Sequence, residues 1–358
     1  MPADLVIGID GGGSRTRVTL AGLDGAVVRT VTAGGTNLTT IGEAIVRPRL
    51  AAAIIECLTG VQADNRAAPA DTRAGPPDGT TAGSTPGDTF DIPGSAVRYA
   101  VAGYAGAGDA GRAAAVTEAA LAAAGVHCPV EVYADPELAF ASGATGPDGL
   151  VLVAGTGAVA GRVVGWRATR LIDGHGWLLG DDGSGFWIAV AGLRAVLRDL
   201  DGRGPRTALS QLLPAELAVR TGGTGHRAGD LSPQAGEPVR PIDAQRLRGA
   251  LVRAVMSQPP PGLARLAKIV LNAVDDVAAE IVDTAVGHLT ATVAALDPRS
   301  REPLVLAGGV AGRGSPLSER LAKTLAERFG VQPVIVTDGS AGAIRLALRR
   351  RADWTAAT

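Results

Sequence analysis

In IDGGGS, residues 9–14, a carboxylate, Asp10, stands directly before Gly11, Gly12, Gly13 and the hydroxyl of Ser14. Glycines let backbone amides come close to an anion, yet a bare carboxylate would repel one. The pairing makes chemical sense if Asp10 holds a hydrated Mg²⁺, which prefers one or two carboxylates together with phosphate oxygens. Ser14 and Thr16 then serve as hydroxyl donors to phosphate. Read alone, the motif is equally an Asp-Gly β-turn. A second glycine turn, AGTGAV at 154–159, sets Thr156 between Gly155 and Gly157 and offers a hydroxyl to the opposite side of the same phosphate chain. A third, LAGGVAGRG at 306–314, carries Gly308 and Gly309, where no side chain blocks a flat ring, and suits the adenosine half of ATP.

Phosphoryl transfer is mostly positioning and charge neutralisation, but a hydroxyl acceptor also needs a base, worth about 10²- to 10⁴-fold. Asp135, at the end of PVEVYAD and followed by Pro136, is the candidate. Strand carboxyl ends are where ligands meet doubly wound sheets. A helix N-cap is the competing role for Asp135. The segment DGHGWLLGDDGSGFWIA, residues 173–189, combines glycines, two tryptophans, His175 and the adjacent Asp181 and Asp182. Aromatic faces and carboxylate acceptors suit sugar rings and hydroxyls. A folding role is expected for Trp187 and a ligand role for Asp181, whose alternative is to cap the following helix. His175 has no second histidine at ligand spacing, so a metal role there is not expected.

The elements that must position these residues follow from periodicity. LVIGID is an apolar strand, TRVTLAGL alternates, and Asp24-Gly25 turns the chain into AVVRTVTA, which predicts a three-stranded antiparallel meander. The first glycine loop is therefore strand–turn–strand. Walker A loops and dinucleotide fingerprints instead open a helix, and no lysine precedes Lys268. Both are excluded. A helix interrupted at Pro48 is predicted over 41–58, a Pro/Gly-rich flexible insertion over 64–96, then strand, helix and strand up to Asp135.

From residue 150 the order begins again with strand, glycine turn and strand. A mostly helical stretch covers about 181–296, with a polar loop at 221–241. LVLAGGVAGRG through VTDGSAGA then repeats the plan of VAGYAGAG through YADPELAFASG, with Asp338 matching Asp135. The duplication predicts two domains, 1–140 and 141–358.

With 358 residues, 46% hydrophobic and 19% charged, the chain has room for two cores. A net charge of -1 gives no electrostatic case for nucleic acid or an anionic membrane. Neither a leader segment nor an apolar run near 18 residues is present, so a cytoplasmic protein is expected. Cys57 and Cys128 are far apart and suit no disulfide or cluster framework.

Duplicated βββαβαβ halves, each opening on a glycine hairpin, resemble the actin–hexokinase–sugar kinase superfamily, an α/β class of paired ribonuclease H-like domains with a central ATP and substrate cleft. IDGGGSRTRV, GGTNLTTIG, VAGYAGAG, YADPELAFASG, VAGTGAV, GHGWLLGDDGSGFW and LAGGVAG stand in the order found in the BadF/BadG/BcrA/BcrD ATPase family, and the chain resembles its N-acetylglucosamine kinases. The resemblance implies ATP- and Mg²⁺-dependent phosphorylation of an amino-sugar hydroxyl, O6 by preference, and a homodimer. It gives Asn37, Gly174, His175, Gly176 and Asp181 to the sugar and Asp135 to the base. Ser14 and Thr156 go to the phosphates, and Gly308 and Gly309 to the nucleotide. Ala158-Val159 replaces the polar pair usual after G-T-G, and His175 replaces a tryptophan, so the acceptor is open among hexosamines. Two alternatives from the same pattern are an activator of 2-hydroxyacyl-CoA dehydratases and a non-catalytic sugar or nucleotide sensor.

Overall fold

A computed structural model describes residues 4–39, 41–62, 89–106, 109–219 and 241–350. Most of the insertion expected at 64–96 and nearly all of the loop expected at 221–241 lie outside the described residues. The chain divides into two compact units, Met1–Ser142 with Gly339–Thr358, and Gly143–Asp338.

The first unit is built on β1 (Leu5–Gly11), β2 (Arg15–Gly22) and β3 (Val27–Gly34), the expected antiparallel meander. Every residue of β1 is buried, as befits the unbroken apolar run of a central strand. Helix α1 (Glu43–Leu58) continues through Pro48. The interruption expected there does not occur: Pro48 faces solvent, while Val46, Leu50, Ile54 and Cys57 bury one continuous stripe that outweighs a single lost hydrogen bond. A two-residue ladder of β4 (Val61–Gln62) and β5 (Thr89–Phe90) follows. Then come β6 (Val97–Tyr104), α2 (Ala110–Ala123), β7 (Val130–Ala134) and α3 (Asp135–Gly143). Asp109 caps α2 by accepting from the Arg112 amide at 3.0 Å. The sheet order is β3-β2-β1-β6-β7, with β1, β6 and β7 parallel.

The second unit repeats that plan with β8 (Gly149–Ala154), β9 (Ala158–Val164), β10 (Arg167–Asp173), β11 (Pro303–Ala307) and β12 (Gln332–Ile335), in the order β10-β9-β8-β11-β12 and with the same strand senses. The duplicated α/β arrangement read from the sequence is thus present in both sheets. Between β10 and β11 lie α4 (Gly185–Leu200), α5 (Leu209–Glu216), α6 (Pro241–Met256), α7 (Ala267–Asn272) and α8 (Asp276–Ala294). The one-turn α9 (Gly308–Ala311) and α10 (Ser318–Phe329) flank the edge strand. Each unit has its own hydrophobic core. Among the described residues no helix is long and apolar enough to cross a membrane.

The last helix, α11 (Ser340–Arg349), groups with the first unit, although the sequence order assigned it to a second domain of 141–358. It lies against β1, where Gly8 makes room: a Cβ there would come within 2.9 Å of the Ala343 Cβ and 3.0 Å of Ile344. Such a packing choice is invisible in the order of elements.

Candidate active site

In the first unit β1 and β2 pair up to Gly11–Thr16, and the Gly12 amide donates to the Arg15 carbonyl at 2.9 Å, closing a short hairpin with Gly13, Ser14 and Arg15 exposed at its tip. The glycines are required by packing. A Cβ on Gly11 would lie 2.4 Å from the Tyr104 ring and 2.6 Å from the Thr36 hydroxyl, and one on Gly35 would lie 2.2 Å from the Gly13 carbonyl. Thr16 is fully buried, and its hydroxyl bonds that of Thr36 at 2.8 Å. It therefore ties the hairpin to the Gly34–Thr36 segment and does not face outward as the phosphate donor expected from sequence.

Asp10 is 7% exposed at the carboxyl end of β1. Its Oδ2 accepts from the Gly339 amide at 3.1 Å, at the start of α11, and lies 3.8 Å from the Arg17 guanidinium, the cross-strand partner of Asp10 in register. The amide and the guanidinium both place positive charge against the carboxylate. A carboxylate compensated in this way is a poor direct ligand but a good acceptor for water on a hydrated Mg²⁺, so the residues fit the expected metal through its water shell. Among the described residues no group of three or more His, Cys, Asp or Glu side chains could hold a metal by itself.

Asp135 is the first residue of α3, directly after β7. The row Gly11, Tyr104, Ala134 runs across β1, β6 and β7, so Asp10 and Asp135 share one edge of the sheet two strands apart. Gly103, level with Asp10 on the intervening strand, leaves room for α3, since a Cβ there would strike Leu138 at 2.5 Å. The cap at this helix start comes from Glu137, whose Oε2 accepts from the Ala134 amide at 2.8 Å. Capping is thus assigned to Glu137. Asp135 keeps part of its surface accessible but is densely enclosed by protein, and burial first, then the charge of Asp10, pushes its carboxyl up to about 7. Asn37 lies at the same edge: its Oδ1 accepts from the Thr39 amide at 3.0 Å, and its amide group packs against Gly106, where a Cβ would come within 2.9 Å.

In the second unit the AGTGAV hairpin closes with the Gly155 amide on the Gly157 carbonyl at 2.8 Å. Its carbonyls are held by the start of α4: Gly185 donates to Gly155 at 2.7 Å and Phe186 to Thr156 at 3.2 Å. Ser184 is the N-cap of α4, accepting from Trp187, so Asp181 does not cap the helix. Asp181, 9% exposed and at φ 59°, instead sets its carboxylate against the hairpin at Gly157. A Cβ on Gly157 would lie 2.5 Å from its Oδ2. Burial raises the Asp181 carboxyl above its ordinary range. The Ala158 and Gly176 amides and His175 oppose this, and Asp173 adds to it. Gly174 and His175 are exposed on the loop, with Gly176 half-buried. Trp187 packs on the core as expected, its ring 4.9 Å from that of His288.

Gly308 and Gly309 adjoin this hairpin. At φ 92°, Gly308 admits no side chain, since a Cβ would meet the Ala154 carbonyl at 2.4 Å. Gly309 is exposed and has open space where a side chain would be. The structure thus gathers Gly155, Thr156, Gly157, Gly308 and Gly309 in the second unit, and Asp10, the first hairpin, Asn37 and Asp135 in the first.

Sequence reasoning missed Arg17, Gly339, Thr36, Glu137 and Asp173. Arg17 was legible, since a hairpin closing on Gly11 and Thr16 puts residue 17 opposite residue 10. Gly339 and Thr36 reach the site only through tertiary packing and carry no local signal.

A model of the BadF/BadG/BcrA/BcrD ATPase family matches residues 7–345. An N-acetylmuramic acid/N-acetylglucosamine kinase of Clostridium acetobutylicum is 28% identical over 205 residues, 57% of this chain and 57% of the relative. An N-acetyl-D-glucosamine kinase of Dictyostelium discoideum is 28% identical over 232 residues, 62% of this chain and 66% of the relative. The chain therefore spans under two thirds of the length of each of these curated relatives. Among solved structures, a candidate N-acetylglucosamine kinase from Chromobacterium violaceum matches with a TM-score of 0.65 at 21% identity, covering 97% of this chain and 100% of that one. Another from Porphyromonas gingivalis gives 0.64 at 17% identity, covering 97% and 99%. At these identities the two structures speak for the fold.

Proposed function

The chain belongs to the BadF/BadG/BcrA/BcrD ATPase family, and on that premise we propose that it is an ATP-dependent kinase of an amino-sugar hydroxyl, N-acetylglucosamine or glucosamine at O6 in the first instance. One observation carries the reading: a carboxylate compensated by an amide and a guanidinium, Asp10, shares a sheet edge with a second carboxyl, Asp135, raised to about 7. A base is most effective with a pKa near the operating pH.

In this reading Asp135 takes the proton of the sugar hydroxyl as its oxygen bonds to the γ-phosphorus and the bond to the β-phosphate oxygen breaks, releasing ADP. Asp10 would hold Mg²⁺ through water, and the metal, when bound, would neutralise charge on the phosphates. Ser14 with the amide of Gly13, and Thr156 with that of Gly157, hold the phosphate chain on turns that Gly11, Gly12 and Gly155 shape. Gly308 and Gly309 leave room for the adenosine. Asn37 and the 174–181 loop orient the acceptor. The two curated relatives, whose names are those of amino-sugar kinases, support the substrate class.

The thiols give the dehydratase-activator alternative no support. Burial pushes both Cys57 and Cys128 up to about 11, so neither is a ready thiolate for a cluster.

The test is a panel of hexosamines with Mg-ATP, following ADP release and locating the phosphate by NMR. Transfer to an amino-sugar hydroxyl that disappears in Asp135→Asn, with nucleotide affinity kept, is the expected result. Binding of ATP and sugar with no transfer in single-turnover assays would remove the kinase reading in favour of a sensor.

A further inference from the structure

We propose that Asp173 is the positioning residue of the acceptor loop: it locks residues 174–180 at their base and thereby sets the loop that contacts the sugar. The inference rests on the kinase reading for the identity of what the loop contacts, and on geometry alone for the lock.

Asp173 is the last residue of β10, paired with Val159, and has φ 63°. Its two carboxylate oxygens take separate amides across the loop, Oδ1 from Asp181 at 2.8 Å and Oδ2 from Asp182 at 3.1 Å. One side chain thus closes an eight-residue excursion onto the strand it left. Inside it the amides of Leu179 and Gly180 both donate to the Gly176 carbonyl, at 3.1 and 2.9 Å, forming a tight turn. Gly180 must be glycine because of the lock: a Cβ there would lie 2.2 Å from the Asp173 Oδ1.

The far side of the loop is seated by Asp181, whose carboxylate lies against the hairpin, so that a Cβ on Gly157 would come within 2.5 Å of its Oδ2. Asp173 fixes the Asp181 backbone, and Asp181 fixes the loop to the phosphate-side hairpin. At the other end Gly174 packs on Val159, where a Cβ would meet Val159 Cγ2 at 3.0 Å. The exposed Gly174 and His175 are therefore held from both sides by groups other than the His175 imidazole.

Asp173→Asn isolates the lock. Asn tolerates the left-handed backbone conformation about as well as Asp but offers one acceptor and one donor, so one of the two amides loses its partner. A hydrogen bond to a charged group is worth about tenfold to a hundredfold. We expect hydrogen exchange of the Asp181 and Asp182 amides to accelerate at least tenfold. The KM for N-acetylglucosamine should rise about tenfold, with kcat and the KM for ATP within about twofold of wild type and a thermal midpoint lowered by a few degrees. Gly180→Ala should reproduce the effect without touching the carboxylate, and the double variant should be no worse than either single one, because both remove the same lock. Unchanged amide exchange, or a fall in kcat with the sugar KM unmoved, would overturn the assignment. If exchange accelerates but the wild-type protein neither binds nor phosphorylates any amino sugar, the kinase reading falls with the acceptor role, and the lock is a folding device only.

Discussion

Replacing Asp10 by Asn should move the titration of Asp135, and the size of the movement can be worked from the sheet. β1, β6 and β7 are consecutive neighbours, and strands lie about 4.8 Å apart, so the two acids are separated by roughly 10 Å. At an effective dielectric of about 20, two charges at that distance repel by about 1.7 kcal/mol, which corresponds to about one pH unit. Asp135 is raised from 3.8 to about 7, with burial the larger cause and Asp10 the smaller. A one-unit share for Asp10 in a rise of about three agrees with that order. The assay is a carboxyl ¹³C NMR titration of aspartate-labelled protein in metal-free buffer without nucleotide, with the Asp135 resonance identified by its absence in Asp135→Asn. A metal at Asp10 would reverse the sign of the local charge, hence the metal-free condition. The midpoint should fall from about 7 toward 6 in Asp10→Asn. Stability follows by linkage. The folded state binds the proton more tightly than the unfolded one, so wild-type stability declines as pH rises from about 4 through 7 and is level above that. At 1.36 kcal/mol per unit the full decline is at most about 4 kcal/mol, reduced by the part of Asp135 that water reaches. Asp135→Asn should therefore melt higher than wild type at pH 8 and lose that advantage by pH 5. An Asp135 midpoint near 4 in the wild type, or one indifferent to Asp10→Asn, would refute the reasoning.

Other outcomes follow from single contacts. Thr16→Val should cost about 1–3 kcal/mol in urea denaturation by orphaning the buried Thr36 hydroxyl, while leaving ATP affinity by calorimetry within about twofold. Gly157→Ala puts a methyl carbon 2.5 Å from the Asp181 Oδ2. It should lower kcat/KM for ATP at least tenfold in a coupled ADP-release assay and destabilise the chain by about 1–3 kcal/mol. Glu137→Ala removes the bond that satisfies the Ala134 amide and should cost about 1 kcal/mol in chemical denaturation, with a matching rise in hydrogen exchange at the start of α3.

The corrections share one cause, which is that a side chain's partner is set by the chain that folds over it. Thr16 belongs to a strand, and strand alternation could not say that Thr36 would lie 2.8 Å from its hydroxyl. For Asp181, whose alternative to the expected ligand role was to cap the apolar helix it precedes, local order could not show that Ser184 caps α4 and that its carboxylate lies against Gly157. Pro48 signalled a break that the buried stripe of α1 overrides.

The amino-acid order by itself determined the two-fold repeat of strands and helices, the strand–turn–strand nature of both glycine motifs, and the place of Asp135 at a strand's end. These are local properties, written in hydrophobic period and turn chemistry. Only the tertiary structure decided that α11 returns to β1 and presents the Gly339 amide to Asp10, that Glu137 rather than Asp135 closes its helix, and that Asp173 holds Asp181. Asp10 and Gly339 are 329 residues apart in sequence, and no local pattern encodes a contact of that range. Their meeting rests on Gly8 being small enough for α11 to settle on the first strand.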